Sequence, residues 1–457
     1  MSEKVTIIGA GLVGSLLSIY LSRKGYDVEI YERRGDMRKE KAAAGRSINL
    51  ALSDRGIKAL EEVGIMETIK PICIPMHGRF IHKPDNTTAY QAYGKQGQFI
   101  NSVSRGELNK RLMDVAEENG VAIYFNHACE VIDWQENQIT FERSPGDTAS
   151  TLHFDLLFGA DGAFSAARLQ HQIQHNRFDY NQYYIDFGYK ELNIPAGKDG
   201  NFEMEKNALH IWPRGNFMLI ALPNIDGSFT CTLFFPFEGE PSFSSLDTKQ
   251  KVADFFAGTF ADAHALMPGL EEDFFINPTS SLVTVKCFPW VREDKFSLIG
   301  DAAHAIVPFF GQGMNCGFED CSVLNALIDK HRRKWKNILD EFQATRKPDA
   351  DAIADLALNN FVEMRDKVGN ETFLLQKKIE AAFSEKYPGK WIPAYSQVTF
   401  SPHIRYSEAL NSSKKQEEIM NQVMAVPGIE NKWESREVEE LILRKLSGEN
   451  EQLGMRN

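Results

Sequence analysis

The chain has no run of about 18 apolar residues, which is the length that a membrane-spanning helix requires. Its first residues lead directly into a strand pattern at 5–8, without the charged and apolar segments of a signal peptide. We therefore expect a cytoplasmic protein without a membrane partner. The sequence also has no internal repeat and no low-complexity tract, which argues against solenoid and disordered classes.

The chain has fewer basic than acidic residues. The 51 lysines and arginines are outnumbered by 63 aspartates and glutamates, so the net charge is −12. This balance disfavours nucleic acid and anionic membranes as general partners and leaves room only for a local basic patch. The basic run at 330–336 follows a helix pattern, and we interpret it as a solvated helix end.

Cysteine is sparse. None of the six cysteines forms a C-x-x-C pair, and no cysteine and histidine cluster has the spacing of a zinc site. We expect reduced, buried thiols in a cytosolic protein and no bound metal. No nucleophile–base triad is evident either, so any difficult chemistry is expected to come from an organic cofactor.

A glycine motif at the N-terminus predicts a dinucleotide site. An apolar strand at 5–8 is followed by Gly9, Gly11 and Gly14 in G-x-G-x-x-G spacing, then by a helix pattern and a second strand that ends at Glu32. These glycines permit a tight turn, close approach of the pyrophosphate and close helix–strand packing. Glu32 is placed to bind ribose hydroxyls, which favours FAD or NAD over NADP without separating the first two.

A second turn lies at 156–168, LLFGADGAFSAAR, where a strand ends before Asp161 and a helix starts near Ser165. Taken alone, the Asp-Gly pair equally suits an ordinary turn between a strand and a helix. Its place in the chain, between two other nucleotide motifs, favours a functional role.

The third motif is LIGDAAHAIVPFFGQGMNCGFED at 298–320. A strand breaks at Gly300, and Asp301 follows it directly, where a carboxylate can accept hydrogen bonds from sugar hydroxyls. The glycines at 311 and 313 open a helix near Met314 and expose backbone N–H groups at its positive end. That end favours an anion or an electron-rich ring edge.

Together the three motifs resemble those of the flavoprotein aromatic hydroxylases, including G-A-D-G-x-x-S-x-x-R and G-D-x-A-H-x-x-x-P-x-x-G-Q-G-x-N. The resemblance implies FAD as cofactor, NADPH as co-substrate and O2 as oxidant, with Asp301 on the ribityl chain and the segment 45–52 along the cofactor. It implies these cofactor-binding residues: Gly9, Gly11, Val13, Gly14, Glu32, Arg34, Ala51, Arg105, Asp161, Asp301, Gly313, Met314 and Asn315.

The spread of these motifs from residue 9 to residue 315 predicts an α/β fold with one discontinuous domain. We expect a Rossmann-like FAD-binding domain of the aromatic-hydroxylase type, with an interleaved, mostly antiparallel β substrate domain and a C-terminal helical region. The predicted parts are 1–70, 100–178 and 288–328 for FAD, 71–99 and 179–287 for substrate, and 329–457 for the helices. Strand patterns at 121–125 and 130–133 suggest a β-meander.

The strand patterns at 208–212, 217–222 and 229–235 are dense in apolar residues, which suits either a sheet core or an apolar floor for an aromatic substrate. In the segment 78–82, alternation puts Arg79 and Ile81 on one face and Phe80 and His82 on the other.

More specific strings, GRSINLAL, ALHIWP, FMLIALPN and IVPFFGQGMN, resemble the kynurenine-hydroxylating members of the same family over roughly residues 4–400. This resemblance implies 3-hydroxylation of L-kynurenine through a flavin C4a-hydroperoxide. It implies that Arg79, Tyr93, Asn360 and Tyr395 bind the amino-acid end of the substrate. It also implies a pocket lined by Leu209, Met218, Ile220, Phe234, Pro308, Phe309 and Met364.

Two alternatives stay open from the sequence. One is a hydroxylase of another aromatic acid, such as a benzoate, and the other is a flavoprotein reductase that does not transfer oxygen. The sequence is compatible with a monomer or a homodimer.

Overall fold

The structure is a computed structural model that describes residues 3–39, 49–94, 97–142, 149–363 and 371–447. The strands are β1 (Lys4–Ile8), β2 (Asp27–Glu32), β3 (Asn49–Leu52), β4 (Cys73–Met76), β5 (Gly78–His82), β6 (Thr88–Ala92), β7 (Ile100–Ser104), β8 (Ala122–Phe125), β9 (Ala128–Asp133), β10 (Gln138–Glu142), β11 (Ser150–His153), β12 (Leu156–Gly159), β13 (Asp179–Ile194), β14 (Ala208–Pro213), β15 (Met218–Pro223), β16 (Phe229–Pro236), β17 (Ser280–Phe288), β18 (Val291–Arg292) and β19 (Phe296–Leu298).

The helices are α1 (Leu12–Arg23), α2 (Asp54–Glu62), α3 (Met66–Ile69), α4 (Arg105–Glu118), α5 (Ala166–Ile173), α6 (Lys249–Thr259), α7 (Ala261–His264), α8 (Leu270–Ile276), α9 (Asp301–His304), α10 (Gly313–His331), α11 (Trp335–Val362), α12 (Glu371–Lys386), α13 (Ala394–Phe400), α14 (Tyr406–Met424), α15 (Ile429–Lys432) and α16 (Arg436–Ser447). A 3-10 turn spans Pro308–Phe310.

A six-stranded sheet in the order β18-β19-β12-β1-β2-β8 carries all three nucleotide motifs at the ends of its strands. Its central strands pair in parallel, β1 with both β2 and β12, and β12 with β19. The strand β1 is buried over Val5–Ile8, as expected for a parallel sheet that is covered on both faces. Helices α1, α4 and α10 contribute to the same apolar core.

The second large sheet has seven strands in the order β17-β13-β16-β15-β14-β5-β6 and is antiparallel except where β5 runs parallel to β14. One face packs on helices α6 and α8 through a core that includes Trp212, Phe235 and Phe256. The opposite face packs against the 3-10 turn and helix α11 through Met218 and Phe234. The predicted apolar strands therefore form a sheet core on one face, and the role of the other face as a floor for an aromatic substrate stays a prediction.

The predicted β-meander at 121–133 is wrong. Strand β8 pairs in parallel with β2 and belongs to the six-stranded sheet, whereas β9, β10 and β11 form a separate antiparallel sheet. The reason is the long connection between β2 and β8, which ends in helix α4 and returns the chain to the start of the sheet, so that β8 runs parallel to β2.

The C-terminal part is helical, as predicted. Helix α11 packs beside α10 and α14, and α12, α14 and α16 enclose a smaller apolar core around Trp391, Met420 and Ile442. Across the described ranges, no helix is both long and apolar enough to traverse a bilayer.

The close contact between β1 and α1 generates a stability prediction. A Cβ at Gly14 would lie 2.0 Å from the carbonyl oxygen of Gly9, and backbone cannot yield that space. We expect Gly14→Ala to lose about 1–3 kcal/mol of unfolding free energy and to retain less FAD. Urea unfolding and flavin absorbance measure the two effects. The control is Gly258→Ala in helix α6, where a Cβ meets nothing within 4 Å, and stability is expected to be unchanged or higher.

Candidate functional site

The turn between β1 and α1 leads into a helix N-terminus that no side chain caps. Gly11 is the N-cap of α1, no side chain caps the helix, and its first turn contains no acidic residue. A Cβ added at Gly11 would meet nothing within 4 Å, so open space lies against this helix end. Free N–H groups, a positive helix end and space together suit a pyrophosphate.

Glu32 is held beside this turn. Its Oε2 accepts a hydrogen bond from the Ala10 N–H at 2.9 Å, and its Oε1 accepts from the Arg34 N–H at 3.0 Å. The residue is 7% exposed, so the carboxylate has one defined position at the end of β2. Oε2 still has a lone pair for a ribose hydroxyl. Arg34 also donates from Nε to Glu32 at 3.0 Å, although its side chain is mostly exposed.

Asp161 holds the start of helix α5. Its carboxylate accepts hydrogen bonds from Ser165 Oγ at 2.5 Å and from the Ala166 and Ala167 N–H groups at 2.7 and 3.1 Å. Burial raises the pKa of Asp161, against these hydrogen bonds. The structure thus gives Asp161 the turn role that the Asp-Gly pair suggested, and its contact with FAD stays a prediction. Arg168 joins this turn to the third motif by donating to the Ala302 carbonyl at 2.9 Å.

Asp301 begins helix α9, and no described residue donates a hydrogen bond to its carboxylate. Burial raises its pKa, while the charges of Arg105 and His304 act in the opposite direction. A partly buried carboxylate to which no described residue donates can accept hydrogen bonds from hydroxyl groups, so Asp301 suits a sugar-like chain. Arg105 lies near enough for its charge to act on Asp301, and both residues were predicted to bind FAD.

The N-terminus of α10 is also without a side-chain cap, and its first turn has no acidic residue. Asn315 does not provide one, because its amide is used elsewhere: Oδ1 accepts from the Ser53 N–H at 2.9 Å, and Nδ2 donates to the carbonyls of Ala51 and Gly311 at 2.8 and 2.9 Å. Asn315 therefore joins β3 to α10 and does not cap the first N–H groups of the helix, at Gly313 and Met314.

These features fit FAD. Two uncapped helix N-termini suit the pyrophosphate and the electron-rich edge of the flavin, and two defined carboxylates suit the ribose and the ribityl chain. Val13 packs directly against Gly300 and Gly317, because a Cβ at either glycine would lie within 2.9 Å of its side chain. The segment 40–48, which includes the first half of the predicted loop along the cofactor, lies outside the described residues.

A buried ion cluster supports the third motif. Asp320 accepts hydrogen bonds from the Gly300 N–H at 3.1 Å, from His304 Nε2 at 2.6 Å and from Arg346 Nε at 2.6 Å. Burial opposes charge on Asp320, but His304 and Arg346 outweigh it and lower its pKa. Burial likewise opposes the imidazolium of His304, but Asp320 raises the pKa of His304 well above its usual value.

The same cluster has the geometry of a metal site. Ligand atoms of His304, Cys316 and Asp320 lie within 4.8 Å of one another. Arg346 already supplies the positive charge there, because it also donates to Cys316 Sγ at 3.3 Å. The side chains fit an arginine-centred ion cluster better than a metal site.

The predicted substrate residues share one face of the seven-stranded sheet. Register pairs Arg79 with Leu209 across β5 and β14, and Met218 with Phe234 across β15 and β16. Ile220 lies opposite Ile211, the next residue on that face of β14. Directly paired residues point to the same side of a sheet, so these side chains form one surface.

Arg79 lies between two tyrosines. Its guanidinium carbon is 5.4 Å from the ring centroid of Tyr93 and 5.0 Å from that of Tyr395, and these two rings stack at 5.5 Å. Among the described residues no carboxylate pairs with Arg79, although burial acts against its charge. Burial also raises the pKa of both phenols, which keeps them neutral donors. A largely buried cation flanked by two hydroxyl donors suits a carboxylate ligand.

The apolar part of this surface is closed by the 3-10 turn that Pro308 begins. Phe309 contacts the ring of Phe234 at 5.1 Å and stacks on Phe361 at 4.3 Å. Asn360 Nδ2 donates to the Phe309 carbonyl at 2.7 Å, so this amide positions the turn. Met364 lies outside the described residues. The structure therefore brings together the described members of the predicted pocket.

Sequence reasoning missed several residues that position the site, notably Ser53, Arg55, Asp320 and Arg346. A signal for two of them was present: Asp320 and Arg346 each lie on a helical stripe made mostly of apolar residues, and both are at most 1% exposed. A charge within such a stripe needs a buried partner. The sequence alone did not reveal which partner.

A family model described as an FAD binding domain matches residues 2–357. Among solved structures, a tetrameric 2-methyl-3-hydroxypyridine-5-carboxylic acid oxygenase has the same fold, with a TM-score of 0.67 and 18% identity over 88% of this chain and 98% of its own. The fold and the site thus define an FAD-binding flavoprotein, and the predicted fold class is confirmed.

The kynurenine 3-monooxygenase of Flavobacterium psychrophilum is 51% identical over 98% of this chain and 99% of its own length. The kynurenine 3-monooxygenase of Flavobacterium johnsoniae is 52% identical over 97% of this chain and 99% of its own length. The chain belongs to the kynurenine 3-monooxygenase family, which confirms the family resemblance predicted from the sequence.

The position of Asp301 generates a cofactor prediction. We expect Asp301→Ala to raise the FAD dissociation constant roughly 10- to 100-fold, because a hydrogen bond to a charged group contributes about 1.5–3 kcal/mol. Titration of the FAD-free protein, followed by flavin fluorescence, measures the change. Asp294→Ala, at an exposed position, is the control. Equal FAD affinity in both variants would contradict the assignment.

The His304–Asp320 pair generates a pH prediction. Because the pKa of His304 is raised, its contribution to stability is complete below the unfolded value of about 6.5 and is lost as pH rises through the raised pKa. Because the pKa of Asp320 is lowered, its contribution is complete above about 3.9 and is lost in acid. We expect His304→Gln to destabilise the protein more at pH 6 than at pH 9 in urea unfolding. An equal loss at both pH values would show that His304 carries no stabilising charge in the folded protein.

Proposed function

We propose that this protein hydroxylates L-kynurenine at the ring 3-position, consuming NADPH and O2 with FAD as cofactor. The observation that carries the proposal is Arg79, a largely buried cation without a carboxylate partner among the described residues, next to an apolar sheet face. The names of the relatives support the choice of kynurenine. FAD, when bound, supplies the redox and oxygen-transfer chemistry.

Arg79 is proposed to bind the substrate carboxylate through its two-pronged guanidinium, with the hydroxyls of Tyr93 and Tyr395 as additional donors. Both sides of the planar carboxylate are then fixed. Since Tyr395 also stacks on Phe310 at 5.6 Å, the carboxylate site is continuous with the 3-10 turn.

The aromatic ring of the substrate is proposed to lie on the apolar surface formed by Leu209, Met218, Ile220 and Phe234. The turn that covers this surface is followed directly by Gly311 and the uncapped start of α10. One short segment therefore contacts the substrate pocket at Phe309 and the flavin site at Gly313. This arrangement holds the ring beside the cofactor and excludes water from it.

We also propose the three-part division predicted from the sequence. The six-stranded sheet draws its strands from 4–32, 122–159 and 291–298, and the seven-stranded sheet draws its strands from 78–92 and 179–288, which supports two interleaved domains.

The test is NADPH consumption by the FAD-loaded protein with and without L-kynurenine, with the product analysed by mass spectrometry. We expect kynurenine to accelerate consumption and a product one oxygen atom heavier. Acceleration that yields only hydrogen peroxide would show that kynurenine binds without being the true substrate. No acceleration would reject the proposal and favour another aromatic acid, such as a benzoate.

The Arg79 assignment has its own test. We expect Arg79→Ala to raise the KM for L-kynurenine roughly 30- to 1000-fold, because a charge-assisted bidentate contact contributes about 2–4 kcal/mol. FAD content should not change. Arg436→Ala, whose side chain is 89% exposed, is the control. An unchanged KM in Arg79→Ala would reject the assignment.

A further inference from the structure

Arg55 lies in the first turn of α2 and is 1% exposed. Its guanidinium contacts a segment far away in the sequence, the end of helix α13. Nε donates to the Val398 carbonyl at 2.7 Å, and Nη2 donates to the Gln397 carbonyl at 3.3 Å. Arg55 therefore satisfies carbonyl groups that the end of α13 leaves without partners within the helix.

Further acceptors complete the surroundings of this guanidinium. Nη2 also donates to the carbonyls of Ser401, at 3.4 Å, and Ile404, and Nη1 donates to Glu319 Oε1 at 2.5 Å. A positive charge at the C-terminal end of a helix is favoured by the helix dipole. The fork of a guanidinium reaches acceptors in several directions at once, whereas a lysine ammonium is a compact charge.

Helix α13 connects Arg55 with the substrate site. Tyr395 is in its first turn, and Val398 is one helical turn later. The Tyr395 ring lies 5.0 Å from the Arg79 guanidinium, so its position sets one side of the carboxylate site. Because the helix is short and packed, fixing its C-terminal end fixes the tyrosine at the other end.

The same arginine is joined to the flavin side. Its guanidinium carbon lies 4.0 Å from the ring centroid of Tyr406, and the Tyr406 hydroxyl donates to Gln312 Oε1 at 2.9 Å. Gln312 is the N-cap residue of α10, and its Nε2 donates to Ser53 Oγ at 3.4 Å. Arg55 thus lies at the junction of the C-terminal helices and both segments that hold the flavin.

We propose that Arg55 is a positioning residue for the substrate: by holding the C-terminal end of α13, it keeps Tyr395 against Arg79 and so completes the carboxylate site. This inference rests on the proposed function, since it concerns binding of the kynurenine carboxylate. It assigns a role to a residue that has no contact with the substrate surface itself.

The first measurement is calorimetric titration of FAD-loaded protein with L-kynurenine. We expect Arg55→Lys to raise the kynurenine dissociation constant about tenfold, because lysine keeps the charge but cannot satisfy the dispersed carbonyls. The ratio of FAD to protein should stay at the parent value. Arg436→Lys makes the same chemical change at an exposed position and should bind kynurenine like the parent.

The second measurement distinguishes positioning from general stabilisation. If Arg55 acts through Tyr395, then Arg55→Lys should have little further effect, less than about threefold, in a protein that already carries Tyr395→Phe. An equal factor in both backgrounds would overturn the proposal, and so would unchanged kynurenine binding by Arg55→Lys alone. A merely structural arginine gives no such dependence on Tyr395.

Failure of the proposed function is distinguishable. If the parent protein does not bind kynurenine, the proposed function and this inference both fall, whereas binding that Arg55→Lys leaves unchanged removes this inference alone. Should Arg55→Lys not retain FAD, Glu319→Gln replaces it in both measurements. That variant keeps Arg55 and weakens the ion pairs of Glu319 with both Arg55 and Arg346. The comparison with Tyr395→Phe isolates the part of the effect that acts through Tyr395, so the same pattern with a smaller factor is expected, and its absence overturns the proposal.

Discussion

The ionised carboxylate of Asp320 is the interaction on which the cofactor site depends. It is 0% exposed and is shared by the Gly300 N–H, His304 and Arg346. An unpaired carboxylate in this environment would cost several kcal/mol, so the charge is stable only while all its partners stay in place. The segment with Asp301, the helix α10 and the helix α11 consequently behave as one electrostatic unit, and the cofactor contacts proposed for them cannot shift independently.

The substrate side uses the opposite arrangement. Arg346 is fully neutralised, by Asp320 and Glu319, whereas Arg79 has no carboxylate partner among the described residues. A cation that only neutral phenols surround gains more from an incoming carboxylate than one that is already paired. The contrast between two arginines of one protein thus separates a structural ion cluster from a proposed ligand site. The turn at Pro308–Phe310 places the two regions side by side.

Much of the cofactor site was predictable because its motifs are local. Gly11 and Glu32 lie where the strand–helix–strand pattern placed them, and the alternation within β5 put Arg79 on the sheet face of the proposed pocket, beside Leu209. The role of Asp161 was harder to predict, because a carboxylate at a turn can bind a ligand or its own helix. In the structure it accepts hydrogen bonds from Ser165 and the following N–H groups, so it binds the start of its own helix. The pairing of β8 was predicted wrongly for a related reason, since a strand pattern carries no information on which other strand it will pair with.

By itself, the sequence determined most of the strands and the glycine turns, because these follow from periodicity and from backbone geometry within a few residues. Its motifs also determined the family and the residues proposed to bind ligands. Only the tertiary structure decided which buried charges meet. Asp320 pairs with Arg346 across two helices, and Arg55 pairs with carbonyls at 397–404, more than 340 positions away. The physical reason is that a buried charge requires some partner, but the topology of the chain, and not the residue type, determines which one comes within hydrogen-bonding distance.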